Sequence, residues 1–155
     1  MFVPKFIGVV LTLLTIALTL DATATTMTAS GSFQITLTPQ TDIEFESGRM
    51  TIEKTYSGDL EGKGRGQMLS TRTEVPGSAS YIALETVGAT LAGKTGSFTL
   101  QHSGTMVRGK STLKVTIVTD SGTNGLKGIS GSMEIEKDGN QHHYTLTYSL
   151  EDSAE

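Results

Sequence analysis

Apolar and polar residues alternate with a period of two along most of the chain, and this pattern constrains the fold more than any other feature. Phe33, Ile35 and Leu37 alternate with glutamine and threonine, as in a strand that buries one face and exposes the other. The same alternation recurs in segments 50–52, 81–87, 98–100, 113–117, 133–135 and 144–150. Helical periodicity is absent from longer windows beyond the N-terminal segment. The chain is therefore expected to be an all-β protein.

Glycine-containing turns separate the predicted strands and indicate hairpins. The pattern Leu-x-Gly begins at Leu60, Leu91 and Leu126. Its glycine can supply the positive φ of a tight turn, and its leucine can cover one end of a core. Asp138-Gly139 is a strong signal for a two-residue hairpin turn. Seven or eight such strands fit either a sandwich or a closed barrel, and we favour a single closed antiparallel barrel over residues 25–155, because closure removes exposed strand edges.

The first 24 residues have the features of a secretory signal peptide with a helical apolar segment. Lys5 precedes an apolar run from Phe6 to Leu20, and Ala22-Thr23-Ala24 offers small residues at a cleavage site. Cleavage near Ala24 would export the remaining chain to the periplasm or out of the cell. Because the apolar run approaches the length that spans a bilayer, the alternative is an uncleaved membrane anchor.

Composition and charge argue against several classes of partner. The chain has no cysteine, so its stability outside the cytosol would rest on a packed core. A net charge of −4 argues against a nucleic-acid partner. His142 and His143 are adjacent on a predicted strand and would point to opposite faces. We therefore expect no metal site, and nothing in the sequence implies a cofactor.

Residues 88–95 match the phosphate-binding pattern G-x-x-x-x-G-K-[ST] letter for letter. A genuine phosphate-binding loop requires a helix that begins at the lysine, because the helix N-terminus holds the phosphates. Here the residues after Lys94 alternate like a strand. The match therefore predicts a hairpin and no nucleotide site.

Three segments occur in order with hairpin spacing between them: KTYSGDLEG at 54–62, IALE at 82–85 and GSFTLQHSG at 96–104. Together they resemble a bacterial family known as domain of unknown function 3224, over nearly all of the chain beyond the leader. The resemblance implies an eight-stranded antiparallel barrel similar to plant allene oxide cyclase, of the calycin-like kind. It implies no established activity. The exported leader departs from what the family leads us to expect, and this departure argues against a cytoplasmic metabolic role.

Polar residues on otherwise apolar strand faces are candidates for a site in the barrel lumen. Glu85 and His102 share the inward parity of apolar neighbours, and a hairpin turning near Ala92-Gly93 would place Glu85 opposite Leu100 and close to His102. Such a pair could move a proton on a bound ligand, which makes Glu85 and His102 the candidate catalytic residues. The alternative is a structural hydrogen bond that fixes strand register. A slip of one residue would separate the pair.

The candidate ligand-binding residues are Lys54, Tyr56, Tyr81 and Tyr144. Lys54 and Tyr56 share parity with apolar residues of their strand, although a lone lysine more often extends to the rim of a barrel. Tyr144 could form an amphipathic wall of the cavity, although core packing with a satisfied hydroxyl is the commoner use.

These observations leave three functions open. We expect a protein that binds a small hydrophobic or amphipathic molecule in its lumen. The first alternative is an isomerase or cyclase that acts through Glu85 and His102, as the similarity to allene oxide cyclase suggests. The second is an exported structural module, which a lumen packed shut by Phe33, Phe98, Met133 and Tyr144 would favour. Apolar residues at the outward positions Ile82 and Leu84 predict a homo-oligomer.

Overall fold

A computed structural model of the protein describes residues 25–41 and 47–150. These ranges form eight strands and one short 3-10 helix. The strands are β1 (Thr26–Gln40), β2 (Gly48–Gly58), β3 (Leu60–Arg72), β4 (Ala79–Leu91), β5 (Lys94–Val107), β6 (Lys110–Ile117), β7 (Ser130–Asp138) and β8 (Gln141–Ser149). The 3-10 helix, Asn124–Leu126, lies between β6 and β7. The expected signal peptide, residues 1–24, lies outside the described residues.

Each strand pairs antiparallel with its neighbours in chain order, and β1 also pairs with β8. The sheet is therefore a closed barrel, and the expected eight-stranded antiparallel barrel is confirmed. In a closed barrel, successive side chains of each strand point alternately into the lumen and to the outer surface. Within the described ranges no helix has the length and apolarity needed to cross a membrane.

Strand β3 departs from the sequence analysis. The segment beginning at Leu60 was expected to be a turn, but Leu60 is the first residue of a strand and the turn lies at Asp59. Apolar alternation did not indicate this strand, because its lumen-facing positions include three glycines, Gly62, Gly64 and Gly66. The last hairpin is also displaced by one residue. Asp138 pairs with Gln141, so that the turn is formed by residues 139 and 140.

One end of the barrel is closed by apolar side chains. Leu60, Leu91 and Leu126, the leucines of the three Leu-x-Gly patterns, are all buried there. Gly96 permits the close approach of the 3-10 helix, since a Cβ atom at this position would meet Leu126. The side chains expected to pack the lumen, Phe33, Phe98, Met133 and Tyr144, are likewise buried in a single apolar cluster. This half of the lumen is a close-packed core.

The opposite end carries the turns at residues 73–78, 108–109 and 139–140, and we call it the open end. Lumen-facing apolar side chains near it are not fully covered: Leu37 is 44% exposed and Leu113 is 41% exposed. The inward-facing Ile35, Met50, Met68, Tyr81, Met106 and Ile135 are half-buried. Solvent therefore reaches apolar surface inside this end of the barrel.

The segment 88–95 forms the hairpin between β4 and β5. Ala92 and Gly93 adopt the positive φ angles of the turn, and Lys94 begins β5. The hydroxyl oxygens of Thr90 and Thr95 lie 3.0 Å apart across the hairpin. The segment therefore lacks the helix on which phosphate binding by this pattern depends.

The outer surface carries an apolar patch on β3 and β4. Ile82 and Leu84 are 58% and 57% exposed, and Ile82 pairs with Leu69, which is also exposed. Self-association through this patch stays a prediction. We expect sedimentation velocity at micromolar concentration to show a dimer or larger oligomer, and the Ile82→Thr/Leu84→Thr double variant to sediment as a monomer. A monomeric profile for the unaltered protein would count against the prediction.

Candidate functional site

Four polar side chains from three strands meet in the lumen, and we call them the lumen cluster: Lys54, Tyr56, Glu85 and His102. All four are buried, and Glu85 is fully inaccessible. Lys54 Nζ lies 2.7 Å from Glu85 Oε2, and His102 Nε2 lies 3.0 Å from the same oxygen. Tyr56 donates its hydroxyl hydrogen to Glu85 Oε1 at 2.8 Å. The carboxylate is therefore the centre on which the other three groups converge.

The glycines of β3 explain how residues from non-adjacent strands make contact. Lys54 on β2 pairs with Gly64 on β3, and Gly66 on β3 pairs with Glu85 on β4. A Cβ atom at Gly64 would collide with Oε1 of Glu85, so the carboxylate occupies the space that a side chain on β3 would fill. A glycine within a strand commonly marks such a close approach. The side chains of β2 and β4 meet above β3 for this reason.

Strand register brings Glu85 and His102 together. Glu85 pairs with Leu100, and Ala83 pairs with His102, so the two polar residues are diagonal neighbours on one face of the β4–β5 ladder. Diagonal neighbours lie within reach of long side chains. The contact anticipated from parity is present, while its role in catalysis stays a prediction.

Hydrogen bonding keeps the carboxylate charged despite its burial. Burial raises the pKa of Glu85, but the hydrogen bond from His102 and the charge and hydrogen bond of Lys54 together hold it below the ordinary value. Burial lowers the pKa of Lys54, and Glu85 opposes this change. Burial and the neighbouring Glu85 raise the pKa of Tyr56, so that its hydroxyl stays protonated. The cluster is thus an ion pair whose carboxylate also hydrogen-bonds to Tyr56 and His102.

Aromatic rings separate Lys54 from the β7–β8 hairpin. Its Nζ lies 4.5 Å from the centre of the Phe33 ring, a cation–π distance. Phe33 in turn stacks on His142 with ring centres 5.1 Å apart. Burial, together with the charges of Lys137 and Lys54, lowers the pKa of His142. His143 is exposed, as expected for adjacent strand residues, and no group of three acidic or histidine side chains in the described part of the chain could hold a metal ion.

Two of the candidate ligand-binding residues lie outside the lumen cluster. Tyr144 belongs to the packed end, where its hydroxyl accepts a hydrogen bond from the backbone N–H of Leu60 at 2.9 Å. Tyr144 is therefore a core residue whose hydroxyl is hydrogen-bonded. Tyr81 is half-buried towards the open end, and its ring lies over Gly104, where a Cβ atom would collide with it. Only Tyr81 of these two faces the accessible part of the lumen.

Alternation in the sequence indicates neither Gly64 nor the positions of Phe33 and His142 beside the cluster. The available signal was the run of glycines at 62, 64 and 66, each two residues from the next. A glycine within a strand marks a bulge, a bend or a close approach of another group. Of these three glycines, Gly64 is the one at which a side chain of the lumen cluster makes the close approach.

Acid is expected to destabilise the protein through Glu85. Because the pKa of Glu85 is lower in the folded chain than its ordinary value of 4.5, its contribution to stability is present above that value and is lost as pH falls through the folded pKa. Urea unfolding between about pH 7 and about pH 3 should show this loss. The Glu85→Gln variant should lack that component, whereas variants at exposed carboxylates should keep it. If the stability of Glu85→Gln fell with acid as much as that of the wild-type protein, the loss could not be attributed to Glu85.

The fold and the site together define a class of protein: a small closed β-barrel that holds a buried polar cluster in its lumen. A family model described as "Protein of unknown function (DUF3224)" matches residues 29–148. The chain therefore belongs to this family, which the three sequence segments had indicated.

One solved structure supports this assignment. It is a crystal structure of a protein with unknown function from the DUF3224 family of Shewanella oneidensis MR-1. This chain is 37% identical to it in sequence, with a TM-score of 0.78, and the match covers 83% of this chain and 100% of the other. A search of curated proteins finds no match.

Proposed function

We propose that the protein binds a small hydrophobic or amphipathic molecule in the open half of its lumen, above the lumen cluster. The observation that carries this proposal is the change in the lumen lining along the barrel axis, from apolar side chains at the open end to polar side chains further in. Half-exposed apolar side chains line the open end, and a buried group of polar side chains lies at their inner limit. An apolar wall with a few converging polar groups is the usual composition of a small-molecule site.

The polar cluster itself argues for a role beyond packing. Apolar residues of similar volume in place of a buried ion pair often leave a protein equally or more stable. The other half of this barrel is filled in that way, by side chains such as Phe98 and Leu146. Polar residues at four neighbouring lumen positions are therefore poorly explained by stability, and they fit a site that must recognise a polar group.

The second candidate function is that of a lumenal isomerase or cyclase, and the contact between Glu85 and His102 favours it. Glu85 accepts three hydrogen bonds and has a lowered pKa, so it is a weak base. His102 would then be the group that exchanges a proton with the ligand, and Glu85, at 3.0 Å from its Nε2, would orient its ring. Proton transfer within a bound ligand would then require His102, with Glu85 as a positioning residue.

Native mass spectrometry of the protein purified from its own host tests the proposed binding. We expect the wild-type protein to retain a small molecule that denaturation releases, and the His102→Gln variant to lose it. His143→Gln, which alters an exposed histidine, is the matched control and should retain the molecule. The same material tests export, which we also propose: its N-terminus should lie near residue 25.

A wild-type protein that carries no molecule and binds no neutral hydrophobic dye would overturn the proposed function. Retention of the same molecule by His102→Gln at the wild-type level would show that the lumen cluster takes no part in binding.

A further inference from the structure

The hydrogen bond between His102 and Glu85 fixes which ring nitrogen of the neutral imidazole carries hydrogen. Glu85 is ionised and can only accept hydrogen bonds. His102 Nε2, at 3.0 Å from Glu85 Oε2, must therefore be the N–H donor. Lys54 already compensates the charge of Glu85, so a second proton on the buried ring would add an uncompensated charge. Nδ1 is therefore left with its lone pair and is an acceptor.

Nδ1 of His102 is available to a ligand. No hydrogen bond within the described ranges engages it. It is also absent from the fully buried polar atoms that lack a partner, so some of its surface is accessible. The side chain keeps 5% of its exposure, against none for Glu85. Because the two ring nitrogens point in nearly opposite directions, Nδ1 is directed away from Glu85. Nδ1 of His102 is therefore an acceptor of the cluster that has no hydrogen-bond partner within the described residues.

Small and apolar residues surround His102 on the side of the open end. Ala83 is its partner across the β4–β5 ladder, and Gly104, the next lumen-facing residue towards the open end, is covered by the ring of Tyr81. Met68 pairs with Ala83 on the neighbouring strand, and Met106 lies nearer the open end; both are half-buried. A molecule entering from the open end would therefore bring its leading group to His102 while its remaining part contacts apolar side chains.

The charge of the cluster selects the kind of leading group. Lys54 and Glu85 neutralise each other at 2.7 Å, so the cluster has no surplus positive charge to receive a carboxylate. A carboxylate would also carry no hydrogen to donate to Nδ1. An uncharged donor satisfies the acceptor without the cost of burying a new charge.

We infer that the ligand is a neutral amphipathic molecule whose polar end is a hydroxyl group, and that this hydroxyl donates a hydrogen bond to Nδ1 of His102. This inference rests on the proposed function, since it names the chemical class of the molecule bound at that site. A site built around a hydrogen-bonded hydroxyl discriminates against an analogue that lacks it, because the buried acceptor is then left unpaired.

The test compares three probes of matched size: nonanol, methyl octyl ether and nonanoate. Each displaces the neutral dye N-phenyl-1-naphthylamine from the wild-type protein in a fluorescence titration. We expect nonanol to bind at least about tenfold more tightly than the ether. The His102→Phe variant should remove this preference, and the His143→Phe control should keep it.

Nitrogen NMR of histidine-labelled wild-type protein supplies a measurement that does not depend on a variant. Before addition of a probe, His102 should show a protonated Nε2 and an unprotonated Nδ1. Nonanol should shift the Nδ1 resonance, and the ether should not.

Each outcome bears on one of the two proposals. Equal affinity for nonanol and the ether, tighter binding of nonanoate, or a proton on Nδ1 would overturn the hydroxyl inference while leaving lumenal binding intact. Failure of the dye and of every probe to bind would instead overturn the proposed function.

Discussion

Replacing Glu85 by leucine is expected to lower the free energy of unfolding by about 3–5 kcal/mol. The substitution leaves the ammonium group of Lys54 buried without its carboxylate, 2.7 Å from which it lies in the wild-type protein. It also removes the acceptor for Tyr56 and His102. Breaking one side of a buried pair is costly because the remaining charge keeps its desolvation penalty. Urea unfolding at neutral pH measures the difference.

The double variant Lys54→Met/Glu85→Leu is expected to recover most of this loss. It removes both charges together, and an apolar pair of similar volume is often as stable as a buried ion pair. Glu53→Gln provides the matched control on the outer face of β2. Its carboxylate is 66% exposed and lies 4.0 Å from Arg65, so its loss should change stability by less than about 1 kcal/mol.

These variants also separate the functional and structural explanations of the cluster. If the cluster exists for recognition, the double variant should be stable and should still fail to retain the ligand. Additive losses in the two single variants, with no recovery in the double variant, would contradict the coupling of Lys54 and Glu85. A stable double variant that retains the ligand at the wild-type level would leave the cluster without a role in binding.

The alternation of side chains along the strands was sufficient to predict that Glu85 and His102 point into the lumen and lie close together. Once the β4–β5 hairpin is fixed by its Ala92-Gly93 turn, every residue of the two strands has a defined face and partner. The inward direction of Glu85 and His102 and their proximity follow from this register. The same reasoning placed Lys54 and Tyr56 in the lumen, because β2 also alternates strictly.

Contacts between strands that are not neighbours were beyond that reasoning. Alternation in β2 gives the direction of Lys54, but not whether the side chain extends to a rim or reaches across the lumen. The answer depends on β3, where Gly64 at the lumen face leaves space for the carboxylate of Glu85. Glycines at the lumen-facing positions of β3 also leave this strand without apolar alternation. The pattern therefore failed to indicate the strand on which the site depends. Tyr144 shows a second limit, because parity does not distinguish the packed end of a lumen from its open end.

Replacing Gly64 by alanine is expected to destabilise the protein by about 3 kcal/mol or more. The added methyl group would collide with Oε1 of Glu85, and the carboxylate is held in place by three hydrogen bonds. Displacing it weakens the contacts with Lys54 and Tyr56 together. Gly88→Ala is the matched control, since a Cβ atom there meets nothing within 4 Å, and an alanine in a strand is no less favourable than glycine.

The Glu85→Ala background distinguishes a collision with the carboxylate from a general intolerance of β3 to side chains. In that background the group that the new methyl would strike is absent, so Gly64→Ala should cost less than half of what it costs in the wild-type protein. Residues in contact show such non-additive effects, whereas independent sites do not. Equal costs in the two backgrounds, or a cost in the wild-type protein no larger than that of Gly88→Ala, would contradict the close approach of Glu85 to β3. The glycines of this strand would then serve the curvature of the barrel and not the assembly of its polar cluster.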